Sequence, residues 1–120
     1  MIIIISATDP PGDDGEILRP TNMIAIAGNN ITLPCTSRVN NESRWDFYTV
    51  DDTTPVHIYN GSRSAANVGR RMSVDFDSCR LKTCHLTIES VQLEDAGYYV
   101  CFESSSAARK AAALVVLGWL

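Results

Sequence analysis

Apolar residues recur along this chain with a period of two, in short runs separated by turns. Leu86 and Ile88 alternate with Thr87 and Glu89, the pattern of a strand with one buried face. Residues 30–36 repeat it, with Ile31, Leu33 and Cys35 on one side and Thr32 and Pro34 on the other. Proline has no amide proton for a ladder, so Pro34 must face away from a partner strand or sit in a bulge. Residues 70–77 alternate with Met72, Val74 and Phe76 inward, Tyr99 and Cys101 share one face, and Leu114 and Val116 face the core from a closing strand at 113–117. Residues 16–19, stopped by Pro20, and 23–26 read as pieces of an edge strand. Residues 56–59 form a further strand, and 62–69 a looser edge. Gly28-Asn29 and Asn60-Gly61 are turn signals, and residues 94–97 make a polar corner. No stretch of ten residues carries a helical period. The crossover at 89–95 has room for one helical turn at most.

Composition narrows the function. The chain has 120 residues, 45% of them apolar and 20% charged, enough for one domain with a real core. The net charge of −4 with no basic stripe lacks the electrostatic footprint of nucleic-acid binding. Four cysteines in a small domain suggest two disulfides and an oxidising compartment. The apolar run at residues 1–5 is far too short for a signal peptide or a membrane span, and residues 111–120 are too short to cross a bilayer. We expect 1–5 to be a leader remnant or a non-native addition, 1–15 to be irregular, and any membrane anchor to lie outside this chain.

The spacing Asp95-x-Gly97-x-Tyr99-x-Cys101 resembles the end of an immunoglobulin variable-type (V-set) domain, where a tyrosine two residues before a cysteine forms the tyrosine corner. Gly28-x-x-Ile31-Thr32-Leu33-x-Cys35 is similar to the family's B strand, and Trp45 follows ten residues after Cys35. The resemblance covers about residues 16–118. It implies an all-β fold, a two-sheet antiparallel sandwich of V type, with Cys35 bridged to Cys101 and Trp45 packed on that bridge. The separation of 66 positions between these cysteines leaves room for two extra strands at about 56–59 and 64–69, which separate variable from constant types. The resemblance also implies that Asp95 pairs with Arg71 to brace one end. In the chain-entropy model the long bridge is worth roughly 4 kcal/mol.

Cys79 and Cys84 fall outside the usual V-set pattern. They sit where the D–E hairpin should turn, and a disulfide there is a staple worth about 2 kcal/mol before strain. The competing reading is a zinc half-site of Cys79, Cys84 and His85. Zinc needs four ligands, and no second cluster completes the site, so we expect a disulfide, no metal and no cofactor. No phosphate loop, nucleophile elbow or base–nucleophile pair is present, so we expect no enzyme.

Strand alternation assigns a surface. With Trp45, Ile58, Tyr99 and Cys101 inward, Asp46, Tyr48, His57, Tyr59, Val100 and Phe102 point outward from the sheet that holds the strands at Trp45, at 56–59, at Tyr99–Phe102 and at 113–117. An exposed apolar and aromatic group marks an interface, and resembling domains pair through this face. The expected function is non-catalytic recognition by an extracellular immune-type or adhesion receptor. Its partner would be a protein, a second copy included, docked on that face. The alternative is a secreted protein binding microbial carbohydrate through its loops. Asn30, Asn41 and Asn60 head Asn-x-Ser/Thr sequons, with Asn41 and Asn60 at loops equivalent to the first two hypervariable loops of antibodies. Ala107-Ala108-Arg109-Lys110 replaces the Phe-Gly-x-Gly of a joining segment. That departure fits a germline-encoded domain, as in invertebrates, better than a rearranged one.

Overall fold

The computed structural model describes residues 22–61 and 71–118. They form two sheets. The larger is ordered β1-β8-β7-β3-β4, built from β1 (Met23–Ile26), β8 (Arg109–Leu117), β7 (Gly97–Glu103), β3 (Ser43–Tyr48) and β4 (Val56–Tyr59). The smaller is ordered β2-β6-β5, from β2 (Ile31–Leu33), β6 (Leu86–Ile88) and β5 (Met72–Val74). β1 runs parallel to β8; the other pairings are antiparallel. The architecture is an immunoglobulin-like sandwich. The expected strands at 16–19 and 64–69, and the irregular segment 1–15, lie outside the described residues.

The core is where the two alternating patterns meet. Leu33, Leu86 and Ile88 from the small sheet and Trp45, Tyr99, Leu114 and Val116 from the large one are fully buried in one cluster. Cys35 and Cys101 are bridged across it. The Trp45 indole N–H donates to the Cys84 carbonyl at 2.7 Å, so the largest buried side chain leaves no orphaned donor.

Two elements differ from the sequence expectation. The strand anticipated at 70–77 stops at Val74, and residues Phe76–Cys79 form a single helical turn, α1. Asp75 caps it: its carboxylate accepts from the Asp77 N–H at 3.2 Å and the Ser78 hydroxyl at 3.1 Å. That local satisfaction of helical donors outcompetes the strand alternation. Phe76 still reaches the core, edge-on to Tyr59 with ring centroids 6.4 Å apart. The strand anticipated at 30–36 ends its ladder at Leu33, one residue before Pro34. The freed Cys35 amide donates to Nδ1 of His85 at 2.9 Å, and the Cys84 amide donates to the Cys35 carbonyl at 2.8 Å. His85 is therefore engaged by the backbone, and Cys79 is bridged to Cys84. No metal-holding cluster occurs among the described residues.

Each end of the sandwich is tied by carboxylates. At one end Asp95 accepts N–H groups from both terminal nitrogens of the Arg71 guanidinium, one at 2.9 Å, and the Gln92 N–H at 2.8 Å. The Tyr99 hydroxyl donates to the Asp95 carbonyl at 2.6 Å, and burial raises that hydroxyl's pKa. At the other end the β2–β3 and β7–β8 loops exchange carboxylates. Glu103 accepts from the Arg38 N–H at 2.7 Å, the Arg38 guanidinium at 2.9 Å and the Ser106 hydroxyl at 2.9 Å. Glu42 accepts from the Ser105 N–H at 2.8 Å and the Ser104 hydroxyl at 3.0 Å. Hydrogen bonding to Arg38 is the largest cause holding the Glu103 carboxyl below its ordinary pKa.

Two outcomes follow from these ties. Arg71→Met, which leaves the buried Asp95 carboxylate without its cation, should cost about 3 kcal/mol in urea unfolding. An unchanged midpoint would show that Arg71 carries no such role. Because folding depresses the Glu103 pKa, its contribution is complete above the unfolded value near 4.3 and is lost as pH falls through the folded value. Glu103→Gln should therefore lower stability by about 1 kcal/mol at pH 7 and flatten the fall below about pH 4, as read by unfolding midpoints across pH.

Candidate partner-binding face

The outer surface of the large sheet is set by the register of β3, β7 and β8. Arg44, Phe102 and Arg109 lie side by side across the three strands; Asp46, Val100 and Ala111 form the next outward row; Tyr48, Tyr98 and Ala113 form the third. His57 of β4 continues the middle row beside Asp46.

A bulge decides what β4 adds. Trp45 pairs with Tyr59, but Asp46 pairs with His57, so the register shifts between them and Ile58 is left over. One extra residue moves a side chain to the opposite face. Tyr59, expected to point outward, is instead buried at 3% exposure within the core cluster. Its place in the aromatic group is taken by Tyr98, which the sequence reading left unassigned.

The remaining residues make a mixed face. Val100 is buried at its centre; Tyr48, Tyr98 and Phe102 are half-buried around it. The Arg109 guanidinium lies 5.3 Å from the Phe102 ring centroid, a cation–π distance. Asp46 is almost covered, at 5% exposure, while His57 stands over it in solvent with Nδ1 2.7 Å from Oδ1. The exposed imidazole thus shields a carboxylate that would otherwise lie uncompensated in an apolar face.

The β3–β4 loop turns one end of this face into a groove of about 410 Å³. Tyr48, Tyr98, Val100 and Ala111 form its floor, and Val50, Asp52 and Thr53 its wall. Close strand packing holds the floor in place. A side chain on Gly97 would collide with the Tyr48 carbonyl oxygen and sit 2.7 Å from the Phe47 ring, so glycine is required for β7 to approach β3 here. The wall is polar at its rim, where the Asp52 carboxylate accepts the Thr54 N–H at 2.9 Å.

The three sequon asparagines are exposed. Asn30 accepts the Ser90 N–H through its side chain at 2.8 Å. Asn41 takes a left-handed backbone at φ 62°. Asn60 follows β4, and Ser62 of its sequon lies outside the described residues. Asn41 and Asn60 share the Arg44 end of the face: Arg44 donates to the Asn41 carbonyl at 3.2 Å and packs against Gly61.

No curated protein matches the chain. The family model of the immunoglobulin V-set domain matches residues 19–113, a span that holds Cys35, Trp45, Asp95, Tyr99 and Cys101 and both sheets up to the middle of β8. With that match over most of its length, the chain belongs to the immunoglobulin V-set family.

Proposed function

We propose that this domain is the recognition module of a cell-surface receptor or adhesion protein, and that it binds a protein partner through the outer face of its large sheet. V-set domains commonly mediate protein–protein contacts, are generally non-catalytic and are typically extracellular. The observation that carries the reading is the groove-bearing aromatic face itself. Tyr48, Tyr98, Val100 and Phe102 are gathered on one side, with a floor fixed by Gly97 and a covered Asp46 at the centre. Aromatic side chains gathered around a buried centre, here Val100 beside the covered Asp46, and rimmed by charge resemble the composition of an interface core. The two disulfides fit an oxidising location. No helix among the described residues is long and apolar enough to cross a membrane. Glycans at Asn30, Asn41 and Asn60 belong to the same proposal. Those on Asn41 and Asn60 would flank the Arg44 end and leave the groove end open.

The test is binding of the multimerised domain to cells that display a partner, with face and loop variants compared. Tyr98→Asp and Phe102→Asp should each weaken binding at least tenfold with melting unchanged, because half-buried interface aromatics are typical hot spots worth about 2 kcal/mol or more. Ser105→Asp, on the loop tip, should change it little. The reverse pattern, or binding competed by free glycans, would move the site to the loops and favour the carbohydrate alternative.

A further inference from the structure

The two disulfides share a cross-strand register. β2 and β6 pair with Leu33 opposite Leu86, and the same register carries on past Pro34. Cys35 is then the residue opposite Cys84, and its carbonyl accepts the Cys84 N–H at 2.8 Å. Beyond it, Thr36 and Thr83 form an isolated antiparallel bridge, and the Ser37 N–H donates to the Lys82 carbonyl at 2.7 Å. Residues directly opposite in an antiparallel pair have Cα atoms about 4.5–5.5 Å apart and side chains on the same face. That spacing lies inside the range a disulfide spans. Cys35 and Cys84 are both fully buried in the core cluster, and each is bonded elsewhere, to Cys101 and to Cys79. A third pairing, Cys35 with Cys84, is therefore built into the register.

We propose that Cys84 is a thiol–disulfide exchange site, which passes from Cys79 to Cys35 when a thiol reductant opens the Cys79–Cys84 bridge. In the first step two thiols of the reductant become a disulfide, and Cys79 and Cys84 take up the two electrons and two protons as thiols. In the second step Cys84 loses its proton and its sulfur bonds to Sγ of Cys35. The Cys35–Cys101 bond breaks, its electron pair leaves on Cys101, and Cys101 takes up a proton. This second step consumes no reductant. It ends with Cys35 bonded to Cys84, and with Cys79 and Cys101 as thiols.

Cys84 keeps its place without its own bridge. Its amide is held by Cys35, its carbonyl accepts the Trp45 indole N–H at 2.7 Å, and the neighbouring Lys82 carbonyl is held by Ser37. None of these contacts uses Cys79, and a nucleophile fixed beside its target reacts as an intramolecular neighbour. The order of opening follows from position. Arg80, Leu81, Lys82 and Thr83, which lie between Cys79 and Cys84, are all exposed, and α1 is a single turn, so local opening admits the reductant there. Cys101 instead sits inside β7, paired with Trp45 on one side and Lys110 on the other. The exchange has a structural consequence. The Cys35–Cys101 bridge ties the two sheets together, whereas a Cys35–Cys84 bridge joins the ends of two neighbouring strands, β2 and β6. The Cys79–Cys84 pair, which falls outside the usual V-set pattern, thus holds Cys84 away from the long bridge until a reductant arrives.

Cys79→Ser, which leaves Cys84 as a thiol, tests the second step. The variant is held in a glutathione redox buffer, quenched in acid at intervals and alkylated, and its disulfides are mapped by mass, with circular dichroism to confirm folding. Cleavage after Lys82 and Glu89 separates Cys84 from Cys101. The Cys35–Cys84 pairing should reach about a tenth or more of the molecules and exceed Cys84–Cys101 severalfold, because Cys35 is the residue opposite. In wild type, a stepwise more reducing buffer should open Cys79–Cys84 first and then produce Cys35–Cys84 with Cys101 alkylated. Cys35–Cys101 intact in every molecule, with Cys84 alkylated throughout, would overturn the exchange. So would equal shares of Cys35–Cys84 and Cys84–Cys101, the result of random re-pairing in unfolded chains, or loss of Cys35–Cys101 before Cys79–Cys84 opens. If Cys79→Ser does not fold, the wild-type series decides between the same outcomes.

Discussion

The sandwich depends on one packed node. Cys35 lies just past the end of the β2 ladder, beside Pro34, is bridged to Cys101 on the opposite sheet, and receives the Cys84 amide at its carbonyl. The Cys84 carbonyl in turn accepts the Trp45 indole proton at 2.7 Å. The two disulfides are therefore neighbours joined through backbone hydrogen bonds, and the largest buried side chain is fixed between them. Such a node constrains the unfolded chain and satisfies buried polar groups in the folded one. The second bridge, Cys79–Cys84, holds the carbonyl that Trp45 needs, which gives it a task beyond closing a short loop.

From this node outward, the large sheet is positioned residue by residue. Trp45 faces inward and pairs with Cys101, which puts Asp46, Tyr48, Val100 and Phe102 on the outer side. The capped turn at Asp95 holds the entry to β7 through Tyr99, and Gly97 lets β7 close on β3. At the far end, Glu42 and Glu103 cross between two loops and hold the β7–β8 tip against the β2–β3 loop. The face is thus braced at both ends.

Electrostatics divides the face without dominating it. The chain is acidic overall, yet its two outward arginines gather at one end of the sheet and the β3–β4 loop places its aspartates at the other. Asp46, the one carboxylate in the middle, is covered by His57. A pattern of this kind adds more to orientation and choice of partner than to raw affinity.

The sequence by itself determined the frame. The cysteine spacing, Trp45, the Asp95-x-Gly97-x-Tyr99-x-Cys101 run and the period-two segments named the family and most strand positions, because those features are local in the chain or tied to fixed spacings. Only the tertiary structure decided three things. It turned Tyr59 inward, because a bulge against Trp45 depends on cross-strand register, which alternation within one strand cannot show. It replaced the end of a strand with α1, because the Asp75 cap outweighs an alternating pattern. And it assembled Glu42, Glu103, Tyr98 and the β3–β4 loop into a braced, grooved face. Those contacts join residues as much as 65 positions apart, and no local pattern encodes which distant loop a carboxylate will meet.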